Sequence, residues 1–391
     1  MNYTFSDNVN ELKPSAIREI LKLSTEPGII PFSAGNPAVE AFPVDEIKKI
    51  SADLLENEPI SALQYSITEG YEPLRNILKE RFAGKGLYCD ADDIFIASGA
   101  QQVMNLTTKV LCNRGDVIIC EEPSFIGSLN SFRSYGVKLV GVPVEPDGMN
   151  MEALEVALKE NKNVRFIYTI PNFQNPSGIT MSLEKRKKMY ELALKYGVVI
   201  LEDNPYGELR FAGEKLPSIK SFDGENGVVV YVGSFSKEIA PGIRVGYAIG
   251  NKNLTAKMVV CKQTDDVHTN LWAQIIAYRF LKEYDYDAHL NKNREIYRRK
   301  GNLAMDTMKK YFSGKIDYYP VEGGLFIWCK LPDGIDMMDF CMRALKKKVA
   351  VVPGTAFSVI EGTPTNWFRI NFSTPSDEQI VEGIKILSEL I

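Results

Sequence analysis

Histidine is scarce in this chain: His268 and His289 are the only two among 391 residues. That argues against a metal centre built on several imidazoles, and the cysteines offer no substitute. Cys89, Cys112, Cys120, Cys261, Cys329 and Cys341 contain no CxxC pair, and most lie in apolar runs such as VIIC and FIWC. They read as reduced core thiols, not as a disulfide frame. An excess of positive charge is also missing. The count is 46 Lys+Arg against 50 Asp+Glu, a net of -4, which supplies no basic field to hold nucleic acid or an anionic membrane. A small-molecule partner is favoured. No stretch approaches the ~18 apolar residues of a membrane span, and the opening MNYTFSDNVNELKPSAIREI lacks a cationic start followed by an apolar core. A cytoplasmic location is the expectation. Internal repeats, low-complexity runs and Gly/Ser linkers are absent too, so a domain boundary has to be inferred from the pattern of elements.

What is present is a long chain with 45% apolar residues, enough for two domains around a sizeable interior. From about residue 90 onward, short apolar runs alternate with helical patterns: DIFIAS then QQVMNLTTKVLC, DVIICEE then SLNSFRSYG, VKLVGVPV, VRFIYTI, SLEKRKKMYELALKYG then VVILED, and finally VVVYVGS and VGYAIG. Continuous apolar strands separated by amphipathic helices imply an α/β domain with a mainly parallel sheet covered on both faces. Beyond residue 285 the pattern changes to a long charged helix (NREIYRRKGNLAMDTMKKYF), GGLFIWCKL, a helix near MDFCMRALKKK, and WFRINFS. This suits a smaller α+β domain. The expected division is 46–285 for the large domain and 1–45 plus 286–391 for the small one.

In an open parallel sheet, ligands bind beyond the carboxyl ends of the strands. The unusual segments follow the strands: SGAQQ after DIFIA, PNFQNPSG after FIYTI, DNPYG after VVILE, and SFSK after VVVYVG. Lys237 stands in that last turn with Arg244 seven residues on. SFSK alone is a weak string and equally fits a solvated turn lysine.

The ordered set PFSAGNP, LQYS, SGAQQ, EEPSF, PNFQNPSG, EDNPYG, SFSK, Arg244 and FRINFS resembles the class I/II, fold-type-I aminotransferases that use pyridoxal 5′-phosphate (PLP). The likeness spans essentially the whole chain and is greatest to the subgroup of 2-aminoadipate and kynurenine aminotransferases. It implies a mainly parallel seven-stranded sheet flanked by helices, with a smaller α+β domain. PLP chemistry needs an amine that condenses with an aldehyde, is displaced by the substrate amine and then moves a proton, and Lys237 matches it.

An electron-sink ring keeps its nitrogen protonated only beside a buried carboxylate. Asp203 matches that partner; its alternative is an aspartate that caps the next turn. Glu202 points the opposite way along the strand. Asn175 and Tyr206 match the donors to the ring's phenolate oxygen, and an Asn before Pro is otherwise a turn former. Gly99, Ala100 and Gln101 at a helix start match the phosphate contacts, with Ser234, Ser236 and Arg244 closing around them.

Tyr65 matches a tyrosine that reaches the phosphate from a neighbouring subunit, which implies a homodimer with shared active sites. Its alternative is an ordinary half-buried tyrosine. Phe125 matches the aromatic residue stacked on the ring, where many relatives carry tyrosine, and Ala100 stands where serine or threonine is common. Arg369 matches the arginine that grips the substrate α-carboxylate, assisted by Asn36 and Asn175. Arg18 resembles an N-terminal helix arginine that meets substrate side chains, and equally fits an exposed helix position. The resemblance further implies a cis peptide at Asn175–Pro176.

The activity so implied is ping-pong transfer of an amino group from an L-α-amino acid to a 2-oxo acid. Glutamate and 2-oxoglutarate form one pair, and 2-aminoadipate, aromatic or branched-chain amino acids the other. A lyase or decarboxylase on the same fold is the alternative. An effector-sensing regulator body would require a DNA-binding domain or a basic stripe, and neither is expected here.

Overall fold

The computed structural model describes residues 1, 3–6 and 26–391. Its larger sheet contains β1 (Asp92–Ala97), β2 (Val117–Glu122), β3 (Lys138–Glu145), β4 (Gly148–Met149), β5 (Val164–Thr169), β6 (Val199–Asp203), β7 (Val229–Ser234) and β8 (Gly246–Asn251), in the order β1-β8-β7-β6-β5-β2-β3-β4. All seven strands expected from the apolar runs are present. The eighth, β4, is a two-residue hairpin arm antiparallel to β3, too short to leave a hydrophobic signature.

β3, β2, β5, β6 and β7 pair in parallel. β8 runs antiparallel to both β7 and β1, so β1 points the same way as β7. The carboxyl ends of β1, β2, β5, β6 and β7 therefore share one edge. Phe166, Leu201 and Val230 fill a core on one face of this sheet, while Ile119, Ile167 and Ile200 fill a second core on the other. Burial on both faces is why these strands read as continuous apolar runs.

Local signals set the helices. The helix Leu183–Tyr196 starts where the Ser182 side chain accepts from the Lys185 N–H, and it stops at Gly197, which takes a left-handed φ of 64°. The helices Lys252–Asp265 and Leu271–Glu283 follow β8 and are not flagged by the strand–helix alternation.

The second sheet contains β9 (Asp317–Tyr318), β10 (Phe326–Lys330), β11 (Val352–Pro353) and β12 (Trp367–Asn371), all antiparallel in the order β11-β12-β10-β9. On β12, Phe368 and Ile370 enter the core, Phe368 meeting Phe340 of the helix Met337–Lys346 at 5.1 Å between ring centroids. Alternation turns Arg369 to the opposite face. An N-terminal segment runs alongside this sheet: Ile30 bridges Val349, and the Asn371 N–H donates to the Phe32 carbonyl at 2.8 Å. This brings the carbonyls of Ser33 and Ala34 beside Arg369.

Candidate active site

Asp203 ends β6 and is 4% exposed. Its Oδ2 accepts a hydrogen bond from the Tyr168 hydroxyl at 2.9 Å, and its Oδ1, also buried, has no partner among the described residues. Burial pushes the carboxyl up to about 7, against the lowering effect of Tyr168. Glu202 faces away as the alternation requires. It accepts from Ser218 Oγ at 2.6 Å and from the Ile219 and Lys220 N–H groups at 3.0 and 2.8 Å.

Lys237 lies three residues past β7, half-buried, with its Nζ donating to the Gly35 carbonyl at 2.7 Å. Burial, reinforced by the charges of Arg369 and Arg244, lowers its ammonium to about 8. Three cations thus converge, two from the loop after β7 and one from β12, and among the described residues none of them has an ion-pair partner. Such a cluster of positive charge suits ligands that bring negative charge of their own.

The helix Ala100–Leu111 starts directly after β1, with Gly99 at its N-cap in a left-handed φ of 80°. Its first N–H groups lack partners within the helix and form a natural anion seat. Arg244 closes over this turn, its Nη2 donating to the Ser98 carbonyl at 3.3 Å and its Nη1 to Ser236 Oγ at 3.4 Å. Ser234 Oγ donates to Ser236 Oγ at 2.9 Å. A Cβ at Gly99 would lie 2.2 Å from Arg244 Nη2, and one at Gly246 would lie 2.7 Å from the Ala100 nitrogen. Both glycines are needed for this approach.

Beneath the turn a part-buried polar set fixes its shape. Lys262 Nζ donates to Asp266 at 2.7 and 2.8 Å and to Gln102 Oε1 at 2.8 Å, and Ser98 Oγ donates to Asp266 Oδ2 at 2.7 Å. Lys262 and Asp266 carry no sequence signal beyond an i,i+4 pair. The Gln101 side chain is turned aside to the Gly127 carbonyl at 2.9 Å, which leaves its backbone N–H at the turn. Phe125 caps the helix Ile126–Arg133 and packs against Gly127.

Arg369, 6% exposed, donates from Nη1 to Asn175 Oδ1 at 2.8 Å and from Nη2 to the Ser33 and Ala34 carbonyls at 2.9 and 3.2 Å. Its guanidinium lies 4.2 Å from the Phe326 ring centroid and 5.1 Å from that of Phe357. Burial lowers it to about 10, yet it stays charged at neutral pH. Asn175 follows β5 in a loop whose Asn175–Pro176 peptide is cis, as expected, and Glu122–Pro123 is a second cis peptide. Tyr206, buried edge-on to Phe326 at 5.7 Å, interacts with Asn175, and its phenol is raised above the ordinary range by burial.

The remaining expected residues lie at the margins. Asn36 is exposed, and its carbonyl accepts from Ser373 Oγ at 2.7 Å and Thr374 Oγ1 at 2.9 Å. Tyr65 is 81% exposed, edge-on to His268 at 5.8 Å, and so is not half-buried within one chain. Arg18 lies outside the described residues. The six cysteines are free, and among the described residues no cluster of metal-ligating side chains occurs and no helix is long and apolar enough to cross a membrane.

The partnerless Asp203 Oδ1, the lowered Lys237 amine and the helix start beneath Arg244 meet the needs of PLP at its ring nitrogen, aldehyde and phosphate respectively. Comparison with known proteins agrees. The family model for aminotransferase class I and II matches residues 27–387. An aromatic-amino-acid aminotransferase of Thermococcus litoralis is 39% identical over 99% of this chain and 94% of its own length. A kynurenine aminotransferase of Pyrococcus horikoshii, solved with PMP, aligns at a TM-score of 0.95 with 37% identity, covering 99% of this chain and 96% of that one. The α-aminoadipate aminotransferase of Thermus thermophilus, solved with N-(5′-phosphopyridoxyl)-L-leucine, aligns at 0.90 with 34% identity over 99% and 96%. With fold, site chemistry and relatives in accord, this chain belongs to the class I and II aminotransferases and is an enzyme with pyridoxal 5′-phosphate as its cofactor.

Proposed function

We propose that this aminotransferase moves the amino group of an L-α-amino acid to a 2-oxo acid by a ping-pong route. Glutamate and 2-oxoglutarate form one pair, and a 2-aminoadipate, aromatic or branched-chain amino acid belongs to the other. The observation that carries this reading is the joining of Arg369 to Asn175 at 2.8 Å, close enough to Lys237 for the guanidinium's charge to lower its ammonium. A guanidinium held in one plane by Asn175, two carbonyls and two aromatic rings is prepared for a carboxylate. A substrate gripped there is fixed in orientation, with its α-hydrogen presented to Lys237. That arrangement favours transfer over the lyase or decarboxylase alternative, which breaks a different bond at the α-carbon.

Bound PLP supplies an aldehyde that takes up the amino group and a cationic ring that withdraws electrons as the α-proton leaves. Lys237 is the base that removes and returns this proton, and an amine near 8 is neutral in about a tenth of the molecules at pH 7, far more than an ordinary lysine. Asp203 would hold the ring nitrogen through Oδ1. Asn175 and Tyr206 would be the donors to the phenolate oxygen, with Phe125 beside the ring. The backbone of Gly99, Ala100 and Gln101, with Ser234, Ser236 and Arg244, would hold the phosphate. Asn36 and Arg18 are assigned to substrate binding. The division 46–285 against 1–45 plus 286–391 places Arg369 and Lys237 in different domains, so substrate binding draws the two together and excludes water.

A homodimer belongs to this reading, with Tyr65 reaching the neighbouring phosphate. Ile60, Leu63, Tyr65, Ile67 and Val267 are all at least half exposed in one chain, an apolar patch that calls for cover. A cytoplasmic location is assigned with it. The test is the absorption spectrum of the yellow holoenzyme as L-glutamate, L-2-aminoadipate, L-leucine and L-phenylalanine are added in turn. Bleaching to the pyridoxamine form with release of the matching oxo acid supports transfer, and the fastest donor names the substrate class. Release of ammonia or carbon dioxide instead overturns it in favour of the lyase alternative.

A further inference from the structure

Three carboxylates are buried at or near the carboxyl edge of the large sheet, and they are satisfied very differently. Glu121 accepts from Thr169 Oγ1 at 2.7 Å, the Ile170 N–H at 3.1 Å and Gln174 Nε2 at 3.2 Å, using both oxygens. Glu202 likewise uses both oxygens, for three donors. Asp203 has a single donor, the Tyr168 hydroxyl on Oδ2, and a bare Oδ1. Tyr168 is itself fully buried on β5, its ring edge-on to Phe132 at 5.2 Å, and its hydroxyl oxygen accepts from Ser128 Oγ at 2.8 Å. Ser128 lies on the helix Ile126–Arg133, so three separate elements meet in one line of hydrogen bonds that ends at Asp203.

We propose that Tyr168, backed by Ser128, is a positioning residue that holds Asp203 ionised, with Oδ1 as the one oxygen left for the ring nitrogen of the cofactor. The inference rests on the reading of Asp203 as that nitrogen's partner. The single phenol proton goes to Oδ2, because the Ser128 proton is already directed at the phenol oxygen. This orders the donors and fixes the carboxyl's rotation about its Cβ–Cγ bond. A neutral donor favours the carboxylate form without cancelling its charge, as a lysine or arginine in this place would. The full negative charge then remains available to a ring N–H. In an isolated apolar cavity the same carboxyl would hold a proton, and Oδ1 would offer the ring a much weaker acceptor.

The test uses holoenzyme reconstituted with PLP carrying nitrogen-15 in the ring, read by its nitrogen chemical shift and by the single-turnover rate with an amino donor. The wild-type nitrogen should resonate as a protonated pyridinium, and Asp203→Ala should lose that signature. Tyr168→Phe should move the shift part of the way towards the unprotonated value and slow the half-reaction about 10- to 100-fold. Ser128→Ala should have an effect of about threefold in the wild-type background and none in the Tyr168→Phe background, because its influence passes through the phenol. Should Tyr168→Phe fold poorly, Ser128→Ala carries the same readout with less disturbance. An unmoved nitrogen shift in Tyr168→Phe, or effects of the two substitutions that simply multiply, overturns the proposal while leaving Asp203 in its role. A ring nitrogen that stays protonated in Asp203→Ala overturns the underlying assignment instead.

Discussion

The apoprotein should lose stability as pH rises from about 4 to 7, and a measurable part of that loss should belong to Asp203 alone. Burial raises this carboxyl from 3.8 to about 7, so between those values the folded chain holds a proton that the unfolded chain releases. The contribution of Asp203 is therefore fully present below about pH 4 and falls as pH climbs through the folded value. A shift of roughly three units corresponds to about 4 kcal/mol at most. Glu121 and Glu238, also raised to about 7 by burial, add losses in the same window, so the total slope does not identify Asp203. The difference between wild type and Asp203→Asn does. An amide cannot ionise, yet its oxygen still accepts from Tyr168. Urea denaturation of the two apoproteins at pH 5 and pH 8 should show the variant losing less, by a few kcal/mol. Added PLP should close the gap, because its ring proton replaces the one Asp203 gives up. Parallel pH profiles for the two apoproteins would refute the reasoning.

The remaining expectations concern the cations and the cradle. With its ammonium lowered to about 8, Lys237 gains its free amine as pH rises through that value, so the rate of PLP uptake by the apoprotein should climb between pH 7 and 9 and then level, as stopped-flow absorbance would follow. Arg369→Lys replaces a stacked fork by a point charge that cannot hold Asn175 and the 33–34 carbonyls together, and kcat/KM for the donor half-reaction should fall about 100-fold, mainly through KM. Gly246→Ala places a Cβ 2.7 Å from backbone at Gly99 and Ala100, so equilibrium dialysis should show PLP affinity reduced at least tenfold with little change in far-UV circular dichroism.

Much of the site is legible in the sequence because several principal residues end or closely follow apolar runs. Asp203 ends β6, Lys237 and Asn175 lie in the loops after β7 and β5, and simple alternation separates Asp203 from Glu202, whose three donors lie on the other side of the sheet. What lies beneath them is not legible. Tyr168 sits inside VRFIYTI, where a tyrosine reads as core, and its partners Asp203 and Ser128 are 35 and 40 residues away. The Lys262 and Asp266 pair that braces the phosphate turn belongs to the helix Lys252–Asp265 and the residue after it, which the strand–helix alternation does not reveal. β4 is two residues long and leaves no periodic trace. Tyr65 has no intelligible role in a single chain, since its expected target lies on another subunit.

The measurement that bears most directly on the central claim is the location of the covalent bond to the cofactor. Holoenzyme reduced with borohydride, digested and mapped by peptide mass spectrometry should carry one pyridoxyl-phosphate group per chain, on Lys237 in the segment SFSK. Reduction after an amino donor has been added in the absence of an oxo acid should leave that lysine unmodified. A pyridoxyl group on a different lysine, or none on any, would contradict the account.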